Sequence, residues 1–327
     1  MKFFLGTDPL LYLYTLSIMM KLQNKNLKTL NVKKYLSIFL IIFLQSLPAQ
    51  KSINTIDVST VQIRILKKYR NSDSIQRNRI YADSIYTPYQ KLWNGYLGNS
   101  AKVVQWLNDN QSQTDKWIEK SKDVNGKQIT RSLQKFSKGM KALTGYDTKG
   151  DWYILFGPAW TDLGGLGRYA MVIDLSHENN KSTESIEQIL PHEITHQIMM
   201  ETNQHNDKTA LEPIIGEGFA VWVNQKYWNK KYTLAQHLGY TDSELKLCEK
   251  NIELIKSFFE KNKFSEDNNI IDVFRSRETK LNEKLPGAIG YYIGYKIIEQ
   301  YVLKNGKDSW KDVFTKSPRE IYEKSGF

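Results

Sequence analysis

A chain of 327 residues, with 40% hydrophobic and 25% charged residues, is long enough to bury a substantial core in one large domain or two modest ones, which excludes a disordered or fibrous protein. Its net charge of +11 is not a nucleic-acid footprint: residues 1–50 hold six lysines against Asp8 alone, and the remaining lysines are scattered among Glu and Asp as on an ordinary solvated surface. The one cysteine, Cys248, excludes an internal disulfide.

The first element in chain order is a leader. Lys33 and Lys34 precede an apolar stretch from Tyr35 to Leu44, and Pro48-Ala49-Gln50 offers a small-residue exit before Lys51. This is the pattern of a secretory signal peptide over 33–50, and about ten apolar residues are too few to span a bilayer. The expected organisation is a leader region over 1–50 and a single domain over 51–327. The expected mature chain is periplasmic or extracellular, without a stable membrane span. No cysteine follows the apolar stretch, so a lipid-anchored form has no attachment site there.

From Ser59 to about Leu107 apolar residues recur near helical spacing, with Pro88 near a helix start. Residues 127–143 predict a further helix ending near Gly145. The pattern changes at Asp151. Trp152 to Phe156 is short, apolar and aromatic, is stopped by Gly157-Pro158, and predicts a buried strand; Tyr169 to Leu175 predicts a second. The glycines Gly164, Gly165 and Gly167 lie between two strands and not between a strand and a helix, so they predict a loop or edge strand, not a phosphate cradle. From Ser182 the pattern is helical again for most of the chain. The fold class is therefore α+β, a small sheet with a mainly helical C-terminal half.

The chemistry concentrates in His192-Glu193-Ile194-Thr195-His196. Residues i and i+4 lie one above the other on a helix, so His192 and His196 can offer imidazole nitrogens to one tetrahedral zinc ion. Glu193, one step round, can reach a water on that metal instead of the metal itself. With five histidines in the chain, a chance match to this motif arises on the order of once in two hundred such sequences. Helical periodicity adds context: His192, Glu193 and His196 fall inside the apolar arc, where an unpaired carboxylate and two imidazoles are costly unless they are paired or bound to metal.

The third ligand is read from spacing. A His-rich continuation would need Gly at 199 and His at 202, where Met199 and Thr202 stand. Twenty residues beyond His196 comes Gly216-Glu217-Gly218-Phe219-Ala220, a spacing that allows a second helix to return beside the first. Glu217 is the expected ligand, with Glu212 and Glu201 as weaker candidates. Pro191, directly before the first histidine, fits either as the first residue of a helix or as a kink.

These residues together resemble the gluzincin branch of zinc metallopeptidases, and the region from about Tyr86 to Phe327 looks like a family of predicted zinc-dependent proteases of undefined substrate. The Tyr86-Thr87-Pro88-Tyr89 run and the late segment from Gly290 to Tyr295 extend the likeness. The resemblance implies a zincin-like fold and a Zn2+ cofactor held by His192, His196 and Glu217. It also implies hydrolysis of a peptide or protein substrate by a zinc-bound water of pKa about 7, with Glu193 as proton acceptor and Tyr291 or Tyr295, Tyr291 preferred, as oxyanion donor. His177, His205 and His237 stand at no ligand spacing and are expected as surface or capping residues. Cys248, in a Lys- and Glu-rich helical stretch, is not expected to act as a nucleophile. Two other readings stay open: an exported binding or structural protein in which zinc merely staples two helices, and a hydrolase of non-peptide amides.

Overall fold

Asn54–Asp57 form the first strand, β1, and the Asp57 carboxylate ends it by accepting the Thr60 amide at 3.1 Å, the cap that starts α1 (Val58–Tyr69). The structure is a computed structural model, and it describes residues 53–167, 170–202, 205 and 207–327. The leader expected over 33–50 and Tyr169, the first residue of the second expected strand, lie outside the described residues.

The helical stretch expected from 59 to 107 is a run of four helices: α1, α2 (Ser74–Tyr81), α3 (Gln90–Tyr96) and α4 (Ser100–Asp109). Asp73 and Asn99 cap α2 and α4, and Pro88 sits in the tight turn Thr87–Tyr89 that leads into α3. After α5 (Thr114–Asp123), α6 (Gly126–Thr144) closes on Gly145 with φ 88°, a left-handed terminus that a residue without a Cβ takes without strain.

Three more strands complete the sheet: β2 (Asp151–Leu155), β3 (Leu163–Gly165) and β4 (Ala170–Asp174). The order is β1-β2-β4-β3, with β1, β2 and β4 parallel and β3 antiparallel at the edge. Parallel neighbours need a long crossover, and α1 to α6 supply it between β1 and β2. Both central strands are buried almost throughout, which is why they read as continuous apolar runs and not as alternating ones. The glycines at 164 and 165 form the edge strand, in keeping with the reading of that segment.

α7 (Thr183–Thr202) lies against α6 and against α8 (Leu211–Trp228), and the Trp152 indole of β2 donates to Gln197 of α7 at 2.7 Å. The chain continues through α9 (Leu234–Leu238), α10 (Asp242–Lys250), α11 (Ile252–Asn262) and α12 (Asn268–Arg275) to α13 (Ile289–Asn305) and α14 (Pro318–Ser325). The described residues share one continuous core, whose largest fully buried side chains include Trp93, Trp152, Tyr81, Tyr301 and Phe136. The described residues are thus α+β, with a four-stranded sheet and 66% helix. Among the described residues no helix is long and apolar enough to cross a membrane.

Candidate metal centre

Pro191 lies inside α7, not at its start. A proline there removes one helical donor and pushes its ring at the preceding turn, and two side chains bond backbone carbonyls around it. Thr195 Oγ1 donates to the Pro191 carbonyl at 2.7 Å, and the Trp228 indole of α8 donates to the Gln188 carbonyl at 3.0 Å. Trp228 therefore ties α8 to α7 one turn ahead of the histidines. Upstream, Ser182 and Ser185 exchange side-chain-to-amide bonds that open the helix.

That frame brings three ligand atoms to one point. His192 Nε2 lies 3.1 Å from Glu217 Oε2, His196 Nε2 lies 3.2 Å from the same oxygen, and the two imidazole nitrogens are 3.0 Å apart. Ligands held at 2.0–2.1 Å by a tetrahedral zinc ion stand about 3.3 Å from one another, so the triangle is close to the size an ion would set. Among the described residues this is the group of His, Cys, Asp and Glu side chains with the reach for a shared ion. The donor set of two imidazoles and one carboxylate suits zinc. Glu212 lines the neighbouring cavity outside the triangle, and Glu201 pairs with Lys149 at 3.7 Å.

The electrostatics of the triangle point the same way. Burial opposes charge on all three groups, yet the neighbouring imidazoles hold the Glu217 carboxyl well below its usual range. Burial would likewise lower His196, but the Glu217 carboxylate lifts it to about 9. His192, the most enclosed of the three, is pushed down by burial. An anion and a proton-binding imidazole thus meet at the point where a dication would displace the proton.

A cavity of about 590 Å³ opens beside the triangle, lined by Gly164 and Gly165 of β3, Glu193 and His196 of α7, Glu217 of α8 and Tyr291 of α13. Glu193 is 8% exposed and burial raises its carboxyl to about 8. Of the two candidate tyrosines, Tyr291 reaches the site: its ring lies parallel to His192 at 6.1 Å, with the Arg277 guanidinium 4.5 Å over it. Tyr295 turns away and donates to Gln225 at 2.9 Å. Arg277 went unread in the sequence, because it sits in an irregular segment whose approach to α13 no local pattern announces.

Gly218 sits where α8 meets α13: a Cβ there would fall 2.1 Å from the Gly294 carbonyl carbon, so the missing side chain lets the two helices touch. Of the remaining histidines, His177 accepts the Asn179 amide within a turn, while His237 is buried at 5% exposure on α9 and is not a surface residue. Cys248 is buried, which pushes its thiol up to about 12 and leaves it no nucleophilic role.

The fold and site define an α+β protein with a helix-borne His/His/Glu cluster. Residues 179–327, just under half of the chain and the part that carries all three ligands, match the family model described as Gliding motility protein GldB. No curated protein and no solved structure matches the chain. This corrects the resemblance stated for the sequence: the family that matches is a gliding-motility family, not a zinc metallopeptidase family. The expectation of a peptidase, with its hydrolase mechanism and peptide substrate, falls with it. No catalytic role is assigned to Glu193 or Tyr291. The group of His192, His196 and Glu217 could hold a metal ion without any turnover following from it.

Proposed function

We propose that this chain is an exported, non-catalytic binding or structural protein, a component of a gliding-motility apparatus, in which one zinc ion held by His192, His196 and Glu217 staples α7 to α8. The observation that carries the reading is the match to the gliding-motility family over 179–327, which takes in both stapled helices and α13. The ligand triangle supports the staple, because two imidazoles and a carboxylate converging within hydrogen-bond distance on buried helix faces need a shared cation to offset their desolvation. A zincin-like frame of helix and edge strand would serve here as a binding frame, with the cavity side of the ion left to a donor group from a protein partner.

The test is complementation in a gliding bacterium that carries the protein. A deletion strain should lose spreading, and a Glu217→Ala or His192→Ala copy should fail to restore it, with zinc falling from about one ion per chain by elemental analysis. A Glu193→Gln copy should keep both zinc and motility, because no step depends on a proton acceptor. Normal gliding in the deletion strain overturns the motility assignment. Loss of motility in a folded, zinc-loaded Glu193→Gln protein overturns the non-catalytic one.

A further inference from the structure

Tyr291 stands in the first turn of α13, on the wall of the cavity that Glu217 and His196 also line. Close helix contacts bring it there. A Cβ on Gly290 would fall 2.6 Å from the Phe274 carbonyl oxygen of α12, and Gly294, one turn on, already meets the α8 backbone. Larger residues at either position would hold α13, and Tyr291 with it, away from the metal ligands.

The segment that leads into α13 is pinned as well. The Ala288 amide donates to the Ser276 carbonyl at 2.7 Å, and the Tyr240 hydroxyl lies 2.9 Å from the Ala288 carbonyl oxygen. Arg277, beside Ser276, lays its guanidinium 4.5 Å over the Tyr291 ring and 5.3 Å over the Tyr240 ring, while its Nη2 donates to the Leu238 carbonyl at 2.7 Å. The Tyr291 ring is held between these groups and the His192 imidazole, to which it lies parallel at 6.1 Å. In that pose its hydroxyl comes within hydrogen-bonding reach of the Glu217 carboxylate.

Glu217 has use for such a neighbour. It reaches the triangle at the end of a flexible side chain, and its contacts with both histidines run through one oxygen, Oε2. A cation on the imidazole nitrogens would take the lone pairs that those contacts use, so the triangle alone does not set the rotation of the carboxylate. A donor outside it does, and carboxylates that bind metals are in turn hydrogen-bonded by such groups. A phenol donates from a ring that packing already orients. Tyr295, one turn further along α13, is engaged by Gln225 at 2.9 Å and does not reach the site.

We propose that Tyr291 is a positioning residue for the metal centre, its hydroxyl orienting the Glu217 carboxylate toward the ion. The inference rests on the zinc staple and concerns only how its third ligand is held. The measurement is zinc affinity of the full chain, by competition with a chromophoric chelator. Tyr291→Phe keeps the ring and removes only the hydroxyl. It should weaken zinc about 10- to 100-fold, the range for loss of a group that orients a metal ligand. Tyr295→Phe should bind zinc as the wild type does. Cobalt substitution supplies a readout that packing away from the ion would not move: the d–d bands should shift in Tyr291→Phe and stay in place in Tyr295→Phe. Equal zinc affinity in wild type and folded Tyr291→Phe overturns this inference and leaves the staple standing. Weaker zinc with an unshifted cobalt spectrum overturns it as a packing effect. A phenolate-to-metal charge-transfer band in the copper-loaded wild type, lost in Tyr291→Phe, overturns it by making Tyr291 a ligand itself. A wild type that binds no zinc removes the staple and this inference together.

Discussion

His237 shows how a single side chain carries a tertiary consequence that its local sequence hides. Burial, helped by the charge of His192, pushes its imidazole down to about 4, while in the unfolded chain it titrates near its ordinary value of about 6.5. Between those values the unfolded chain binds the extra proton, so unfolding becomes easier as pH falls from about 6.5 to about 4. Denaturant midpoints of the zinc-free protein should therefore drop through that window, and His237→Gln should flatten the slope. An equal slope in the variant would assign the acid sensitivity to other groups. The two histidines of the triangle are legible because their spacing is local, since His192 and His196 share a face in any α-helix; Glu217 joins them only because a second helix returns beside the first. Tyr291 was preferred to Tyr295 on resemblance, and what separates them is the roll of α13, which aims one at the cavity and the other at Gln225.

At the scale of elements, two glycines make the frame. Gly218 of α8 and Gly294 of α13 meet backbone to backbone, and a Cβ on Gly294 would lie under 3.0 Å from the Ile214 carbonyl oxygen and carbon. Two helix backbones cannot yield as a flexible side chain does. Gly218→Ala should cost at least about 3 kcal/mol, the upper end of overpacking penalties. Gly216→Ala, two residues away, would meet only the Met199 methyl at 3.9 Å. It should gain close to the roughly 0.8–1 kcal/mol that Ala holds over Gly in a helix. Urea denaturation of both variants checks the pair, and similar effects at the two sites would refute the close contact. Pro191 belongs to this scale too: in one dimension it fits either a helix start or a kink, and α7 runs through it with Thr195 and Trp228 bonding carbonyls beside it.

At the scale of the whole molecule, the proposed zinc staple between two central helices would act as a stability device. With free zinc a thousandfold above Kd the folded state gains about 4 kcal/mol, and at roughly 2 °C per kcal/mol for a domain of this size chelation should lower Tm by roughly 8 °C. Glu217→Ala should melt near the chelated value whether or not zinc is added. Cys248, the one thiol and fully buried, reports the same opening chemically: it should react with a thiol reagent only as the protein unfolds, and faster after chelation. A Tm that ignores chelator would remove the staple.

Composition and periodicity determined a good deal of this protein alone: an α+β chain, buried strands expected over 152–156 and 169–175, a helix closing at Gly145, and a histidine pair on one helix face. Those features depend on neighbours within a few residues, and local geometry is written in local sequence. Tertiary structure decided the rest. It added β1, whose four residues are too few to signal without their partner β2, and it cut the 59–107 stretch into separate helices. It set Gly218 of α8 against α13 and buried His237, because both require segments far apart in the chain to meet. The activity read from the resemblance is corrected by the family match over 179–327, since ligand spacing bears on where an ion could sit and not on what would be done with it.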